Sequence, residues 1–302
     1  MRALITGASG FTGRYVRAEL ERHGWEVYGL SGHHPGDQRY QLQADLGDPA
    51  ALSAALAKVR PQLVIHLAAI AFVGHGDPAE FYQVNTIGTR NLLAALAELP
   101  QRPDCVILAS SANVYGQGEE DAVLTEASPP NPANDYAVSK LAMEYMAKTW
   151  LPRLPIVITR PFNYTGVGQA ENFLLPKIVS HFQRRATRIE LGNLDVWRDF
   201  SDVRAVATAY RRLAEVKPVG EIVNICSGRT HSLREVIAMA ESLTGHSLEV
   251  TVNPAFVRAN EVRSLRGDPS RLRSLIGEWS MPPLEETVAW MLAASNPAAT
   301  DR

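Results

Sequence analysis

Short, unbroken apolar runs that recur between stretches of helical spacing constrain this chain more than any other feature. Residues 3–6, 27–30, 63–67, 106–109 and 156–159 are short, largely apolar runs with no regular alternation of polar residues. Strands of that kind are covered on both faces. Between and after them, residues 15–22, 50–59, 80–99 and 136–150 repeat apolar residues at intervals of three and four, the spacing of helices. This order predicts an α/β chain with a doubly wound parallel sheet of Rossmann type and helices on either side. At 302 residues the chain is long enough for one large or two modest domains. After Pro161 the alternation loosens, then a helix at 203–215 and a strand at 222–225 return. The expected division is therefore a dinucleotide-binding domain at 1–164, to which 195–225 returns. A smaller, discontinuous substrate-binding domain at 165–194 and 226–302 is expected to close over it.

In such sheets ligands bind beyond the carboxyl ends of the strands, so Gly7, Ala68, Ser111 and Asn163 are expected to face one crevice. The first strand runs into Thr6-Gly7-Ala8-Ser9-Gly10-Phe11-Thr12-Gly13. Missing side chains at Gly7, Gly10 and Gly13 let a pyrophosphate approach the backbone N–H groups where Phe11 and Thr12 begin a helix. Glycine spacing alone also fits a tight turn; its place at the start of an alternating fold favours the cofactor. The second strand ends Gly29-Leu30-Ser31-Gly32-His33-His34, without the acid that normally grips the adenosine ribose of NAD. With no charge there to repel a 2′-phosphate, the expected cofactor is NADPH, with NADH second, and Ser31, His33 or Arg14 near the phosphate. Asp45-Leu46 has two readings: Asp45 accepts from the adenine amine, or it caps the helix that starts near Pro49.

Tyr136 and Lys140 stand four apart on one predicted helix and are therefore neighbours. A phenol with a pKa of about 10 exchanges protons poorly near neutral pH, and an adjacent ammonium is expected to lower it. Ser111, just past the predicted strand at 106–109, is expected to hydrogen-bond a substrate oxygen. Hydroxyl, phenol and ammonium make a proton-relay set for carbonyl or carbinol chemistry, whereas Tyr115 reads as packing.

The formal net charge of −2 offers no field for nucleic acid or an anionic membrane, and no apolar run is long enough to span a bilayer. The glycine motif starts too near Met1 to leave room for a signal peptide, so a cytoplasmic protein is expected. Cys105 and Cys226 lie in short apolar stretches and read as buried reduced thiols, and no metal site is expected.

The glycine motif, the Val114-Tyr115-Gly116 turn after Ser111, and Tyr136 with Lys140 resemble the extended short-chain dehydrogenase/reductases. Arg160-Pro161-Phe162-Asn163, Glu171-Asn172-Phe173, Arg198-Asp199 and Gly267-Asp268-Pro269 narrow the resemblance to the branch of GDP-mannose 4,6-dehydratases and GDP-4-keto-6-deoxy-D-mannose reductases. The resemblance implies Asn163, Asn172 and Lys177 near a diphosphate, Arg198 and Arg258 as cationic clamps, and Glu261 on the guanosine ribose. It also implies a homodimer through a four-helix bundle.

A dehydratase of this branch needs an acid/base carboxylate two residues after its serine or threonine; here that position is Asn113, and an amide exchanges no proton usefully. The expected activity is therefore reduction of the C4 ketone of GDP-4-keto-6-deoxy-D-mannose to a GDP-6-deoxyhexose, with GDP-D-rhamnose the product implied by the resemblance. A nucleotide-sugar 4-epimerase and a GDP-mannose 4,6-dehydratase are the alternatives within enzymes. A dinucleotide-sensing protein without turnover is the remote one.

Overall fold

Strands β1 (Arg2–Thr6), β2 (Glu26–Ser31), β3 (Gln41–Gln43), β4 (Leu63–His66) and β5 (Cys105–Ala109) precede the two-residue β6 (Val123–Leu124). After them come β7 (Ile156–Pro161), β8 (Asn163–Thr165), β9 (Arg188–Leu191), β10 (Trp197–Asp202), β11 (Ile222–Ile225), β12 (Thr230–Ser232), β13 (Glu249–Val252) and β14 (Ser264–Gly267). The computed structural model describes residues 1–32, 40–71, 77–116, 122–256 and 262–294. Seven strands join in the order β11-β7-β5-β4-β1-β2-β3, every pair parallel. The winding direction reverses between β1 and β4, so a crevice opens at their carboxyl ends. A second sheet runs β12-β10-β14-β6, with β8 also paired to β10.

Helices α1 (Phe11–Arg22), α2 (Pro49–Val59), α3 (Pro78–Phe81), α4 (Thr89–Ala97) and α5 (Asp135–Lys148) belong to the first half. The second half carries α6 (Leu174–Gln183), α7 (Val203–Val216), α8 (Leu233–Thr244), α9 (Ser270–Ile276) and α10 (Leu284–Ala293). One face of the large sheet is covered by α1 and α7, where Val16 and Leu20 meet Val206, Tyr210 and Leu213. The other is covered by α2, α4 and α5, through Leu52, Leu56, Leu92, Leu96 and Met143. That double cover is why the strands carry no polar alternation. A separate apolar core joins α6, α8 and α10 to β9.

Local chemistry sets the helix ends. The Asp48 carboxylate accepts from Ala50 and Ala51 N–H, 3.0 Å each, with Pro49 in the first turn of α2. The cap is thus Asp48, and Asp45 instead accepts from Gly47 N–H at 2.6 Å. The helix expected over 80–99 is divided: α3 and α4 are joined by a π-helical turn, Tyr82–Gly88. Its cause is Asn85, which is buried and uses its amide on both the N–H and the carbonyl of Ile70 and on Ser139 Oγ. Both cysteines are free and buried. Among the described residues no helix is long and apolar enough to cross a membrane.

Candidate active site

The carboxyl ends of β1, β5 and β7 open into a cavity of about 380 Å³, lined by Gly7, Gly10, Phe11, Thr12, Gly13, Ser111, Asn113, Tyr136, Lys140 and Asn163. At Gly13 a Cβ would run into the Gly7 carbonyl and lie 2.7 Å from Ala8 Cα, so only glycine lets the loop close onto the start of α1. Gly10 caps α1 without any side-chain hydrogen bond. A tight glycine turn against an uncapped 12-residue helix fits a dinucleotide pyrophosphate, which would be held by N–H groups of that first turn. Ala68 lies beside Gly7 and donates its N–H to Thr6 Oγ1 at 3.2 Å, while its neighbours Leu67 and Ala69 line the cavity.

Ser111 stands two residues past the end of β5 in extended backbone, and its hydroxyl accepts from Asn113 N–H at 3.1 Å, starting the 3-10 turn Ala112–Tyr115. Gly116 follows with φ +58, and a Cβ there would overlap the Asn131 carbonyl. This close approach brings the proline-rich 129–132 loop beneath α5. Asn134 then caps α5 by accepting from Ala137 N–H at 2.9 Å, fixing Tyr136 in the first turn. Tyr136, Lys140 and Ser111 are 7%, 4% and 7% exposed. Tyr115 is buried as packing, its hydroxyl donating to Asn224 Oδ1 at 2.7 Å.

Burial drives the Tyr136 phenol up to about 12; hydrogen bonding with Ser111 pulls it down and the nearby Tyr164 phenol pushes it up. The expected lowering by Lys140 is not what the structure shows. Its ammonium is drawn to the Ala109 carbonyl at 2.8 Å, and burial brings its own pKa down to about 8. The phenol therefore keeps its proton across the neutral range, which suits a group that gives one away.

Two further groups, one on the cavity wall and one behind it, escaped sequence reasoning. Tyr164, beside Asn163, shares a 2.7 Å hydrogen bond with Thr12 Oγ1 and stacks on Phe11 with centroids 6.1 Å apart, joining the glycine loop to β8. No local motif marks it. Glu144 lies beneath the cavity one turn beyond Lys140, and its i+4 spacing was a signal available in the sequence.

The remaining expected residues lie apart. Ser31, Asp45 and Leu46 gather at the ends of β2 and β3, and a Cβ on Gly32 would lie 2.9 Å from Asp45 Oδ2. A carboxylate thus reaches the end of β2 from the neighbouring strand. Arg14 donates to the Gly168 carbonyl at 2.9 Å. Lys177 donates to the Glu190 carbonyl at 2.7 Å with its ammonium 4.5 Å from the Phe256 ring centroid; neither it nor the exposed Asn172 lines the cavity. Arg198 precedes Phe200 by two residues and so shares its face of β10, and Phe200 lines the cavity and pairs with Asn163. The Arg198 guanidinium donates to the Trp197 carbonyl at 2.9 Å. His33, Arg258 and Glu261 lie outside the described residues.

The model of one family, described as the NAD dependent epimerase/dehydratase family, matches residues 3–226. The chain belongs to that family, among the extended short-chain dehydrogenase/reductases. It is 36% identical to the GDP-6-deoxy-D-talose 4-dehydrogenase of Aggregatibacter actinomycetemcomitans over 92% of each chain. With the GDP-6-deoxy-D-mannose reductase of Pseudomonas aeruginosa it shares 35% identity over 91% of each. Among solved structures, a Burkholderia cenocepacia J2315 protein is 53% identical with a TM-score of 0.90 over 96% of each chain. RMD from Pseudomonas aeruginosa, complexed with NADPH, is 33% identical with a TM-score of 0.85 over 97% of each.

Proposed function

We propose that this protein is an NADPH-dependent reductase acting on the C4 ketone of GDP-4-keto-6-deoxy-D-mannose. The observation that carries the reading is Asn113 on the wall of a cavity that already holds Ser111, Tyr136 and Lys140. Among the described residues lining that cavity there is no carboxylate to serve water elimination, whereas the hydroxyl, phenol and ammonium that carbonyl reduction would use are present. When bound, the reduced nicotinamide supplies the hydride. Tyr136 gives its proton to the forming alkoxide, Ser111 hydrogen-bonds the same oxygen, and the Lys140 ammonium holds the nicotinamide ribose. Asn163 and Arg198 hold the diphosphate in this reading, with Asn172, Lys177 and Arg258 also on the nucleotide sugar and Glu261 on its ribose.

Residues 1–164 with 195–225 form the dinucleotide half, and 165–194 with 226–302 the nucleotide-sugar half. NADPH is favoured by a β2 that ends without an acid of its own and by the NADPH complex of RMD, while the Asp45 carboxylate beside Gly32 speaks for NADH. The two GDP-sugar relatives are named for different hexoses, talose and mannose, and the reading takes the rhamno product, GDP-D-rhamnose. A homodimer is expected through the helices that expose Ile87, Val138 and Tyr145; light scattering at twice the chain mass would show it.

The decisive assay follows NADPH absorbance with several nucleoside-diphosphate 4-ketosugars and identifies the products by mass. Consumption of NADPH with the GDP sugar supports the reading. Conversion of GDP-mannose to a 4-keto product marks a dehydratase, and cofactor retained through purification with no net oxidation marks an epimerase. Better use of NADH than of NADPH overturns the cofactor assignment and points to Asp45. Because Lys140 loses its proton near pH 8, kcat/KM for NADPH is expected to fall above that pH, while Tyr136 at about 12 stays protonated. A flat profile to pH 10 or so would separate Lys140 from cofactor binding. Gly13→Ala is expected to weaken NADPH binding by about tenfold or more and to cost roughly 1–3 kcal/mol of stability, since backbone must shift to admit the methyl. Fluorescence titration and thermal unfolding measure both, and parental binding would show that this loop is not the cradle.

A further inference from the structure

Directly beneath the cavity, a buried ion pair joins three of the segments that carry its chemistry. Glu144 follows Lys140 by one turn of α5 and is 1% exposed. Its Oε1 accepts from Ser110 Oγ at 2.6 Å and from Arg160 Nε at 2.9 Å, and its Oε2 accepts from Arg160 Nη2 at 2.6 Å. Ser110 precedes the candidate catalytic Ser111. Arg160, 3% exposed in β7, precedes Pro161, Phe162 and Asn163 of the cavity wall. Its guanidinium lies over the Tyr115 ring, 4.8 Å from the centroid. A fork held so firmly on a carboxylate fixes where that charge stands.

Apart from Glu144, the groups around Lys140 give its ammonium little help. From its own helix come Tyr136, which stays neutral, and Glu144. From β4 comes His66, which burial holds neutral, with its pKa down to about 3 and its ring nitrogens on Thr6 and Thr89. From the end of β5 come the Ala109 carbonyl and the neutral hydroxyls of Ser110 and Ser111. From β7 comes Arg160, whose Nε and Nη2 donate to the Glu144 carboxylate. Burial lowers the Lys140 pKa, and Glu144 is the group that raises it.

We propose that Glu144 is a positioning residue for the reaction: it is the buried counter-charge that keeps Lys140 in its ammonium form, with Ser110 and Arg160 fixing its place. The inference rests on the reductase reading for the task of Lys140, and its test has a readout independent of turnover. Glu144→Gln alone would strand the Arg160 cation, so the informative variant is Glu144→Gln/Arg160→Met, which removes both charges at similar volume. It is expected to fold and to bind NADPH at pH 6 about as well as the parent. The pH at which NADPH affinity falls, followed by quenching of protein fluorescence, is expected to move down by about one unit or more, and the alkaline limb of kcat/KM with it. Glu144→Leu/Arg160→Met is expected to shift the limb likewise and serves if the amide disturbs folding.

A folded variant whose binding profile matches the parent overturns the inference and leaves the pair as a structural clamp. A parent that binds NADPH but reduces no ketosugar overturns the reductase reading instead, and the binding profiles still decide the question of Glu144.

Discussion

Tyr136→Phe is expected to reduce the ketosugar at least a hundredfold more slowly, within the roughly 10² to 10⁴ that a positioned proton donor contributes. The loss is specific because the substitution disturbs little else. The ring keeps its edge contact with Phe81, centroids 5.9 Å apart, and Ser111 Oγ keeps the N–H of Asn113. Ser111 loses the phenol as a hydrogen-bond partner but keeps Asn113, so stability falls by only about 1 kcal/mol and dinucleotide affinity stays near that of the parent. The other hydroxyls on the cavity replace the phenol poorly: an aliphatic alcohol such as Ser111 is a far weaker acid, and Tyr164 is engaged with Thr12 at 2.7 Å. Both kcat and kcat/KM should therefore fall together, the mark of an interaction made in the transition state. Stopped-flow NADPH oxidation with the GDP ketosugar measures both, and near-parental turnover would end the assignment of Tyr136 as proton donor.

The second large effect is on stability. Arg160→Met leaves the Glu144 carboxylate buried with Ser110 as its remaining donor, and breaking a buried pair in this way costs about 3–5 kcal/mol. A typical domain has only about 5–15 kcal/mol to lose, so the urea midpoint should drop steeply with an unchanged slope. The double variant that also replaces Glu144 should recover most of the loss, since no charge is then stranded. A single variant within about 1 kcal/mol of the parent would mean that water reaches the carboxylate after all.

The parallel sheet was legible because burial on both faces leaves a periodic trace: continuous apolar runs at β1, β4, β5 and β7 admit no polar alternation. The glycine loop and the pair Tyr136 and Lys140 were legible for a similar reason, since their geometry is set within a few residues. The single long helix expected over 80–99 was not right in detail. The π turn at Tyr82–Gly88 is imposed by Asn85 reaching Ile70 and Ser139, partners 15 and 54 residues away. Tyr164 was hidden for the same reason, because its partner Thr12 lies 152 residues earlier.

What the sequence determined by itself is the set of features that close over short range: strands, helices, the glycine turn, the spacing of phenol and ammonium, and the amide at Asn113. Only the tertiary structure decided protonation and charge balance. Tyr136 stands in so buried a wall that its phenol rises instead of falling, Lys140 turns to a strand carbonyl, and Glu144 meets Arg160 across 16 residues. Desolvation depends on everything packed around a group, and no local pattern encodes it.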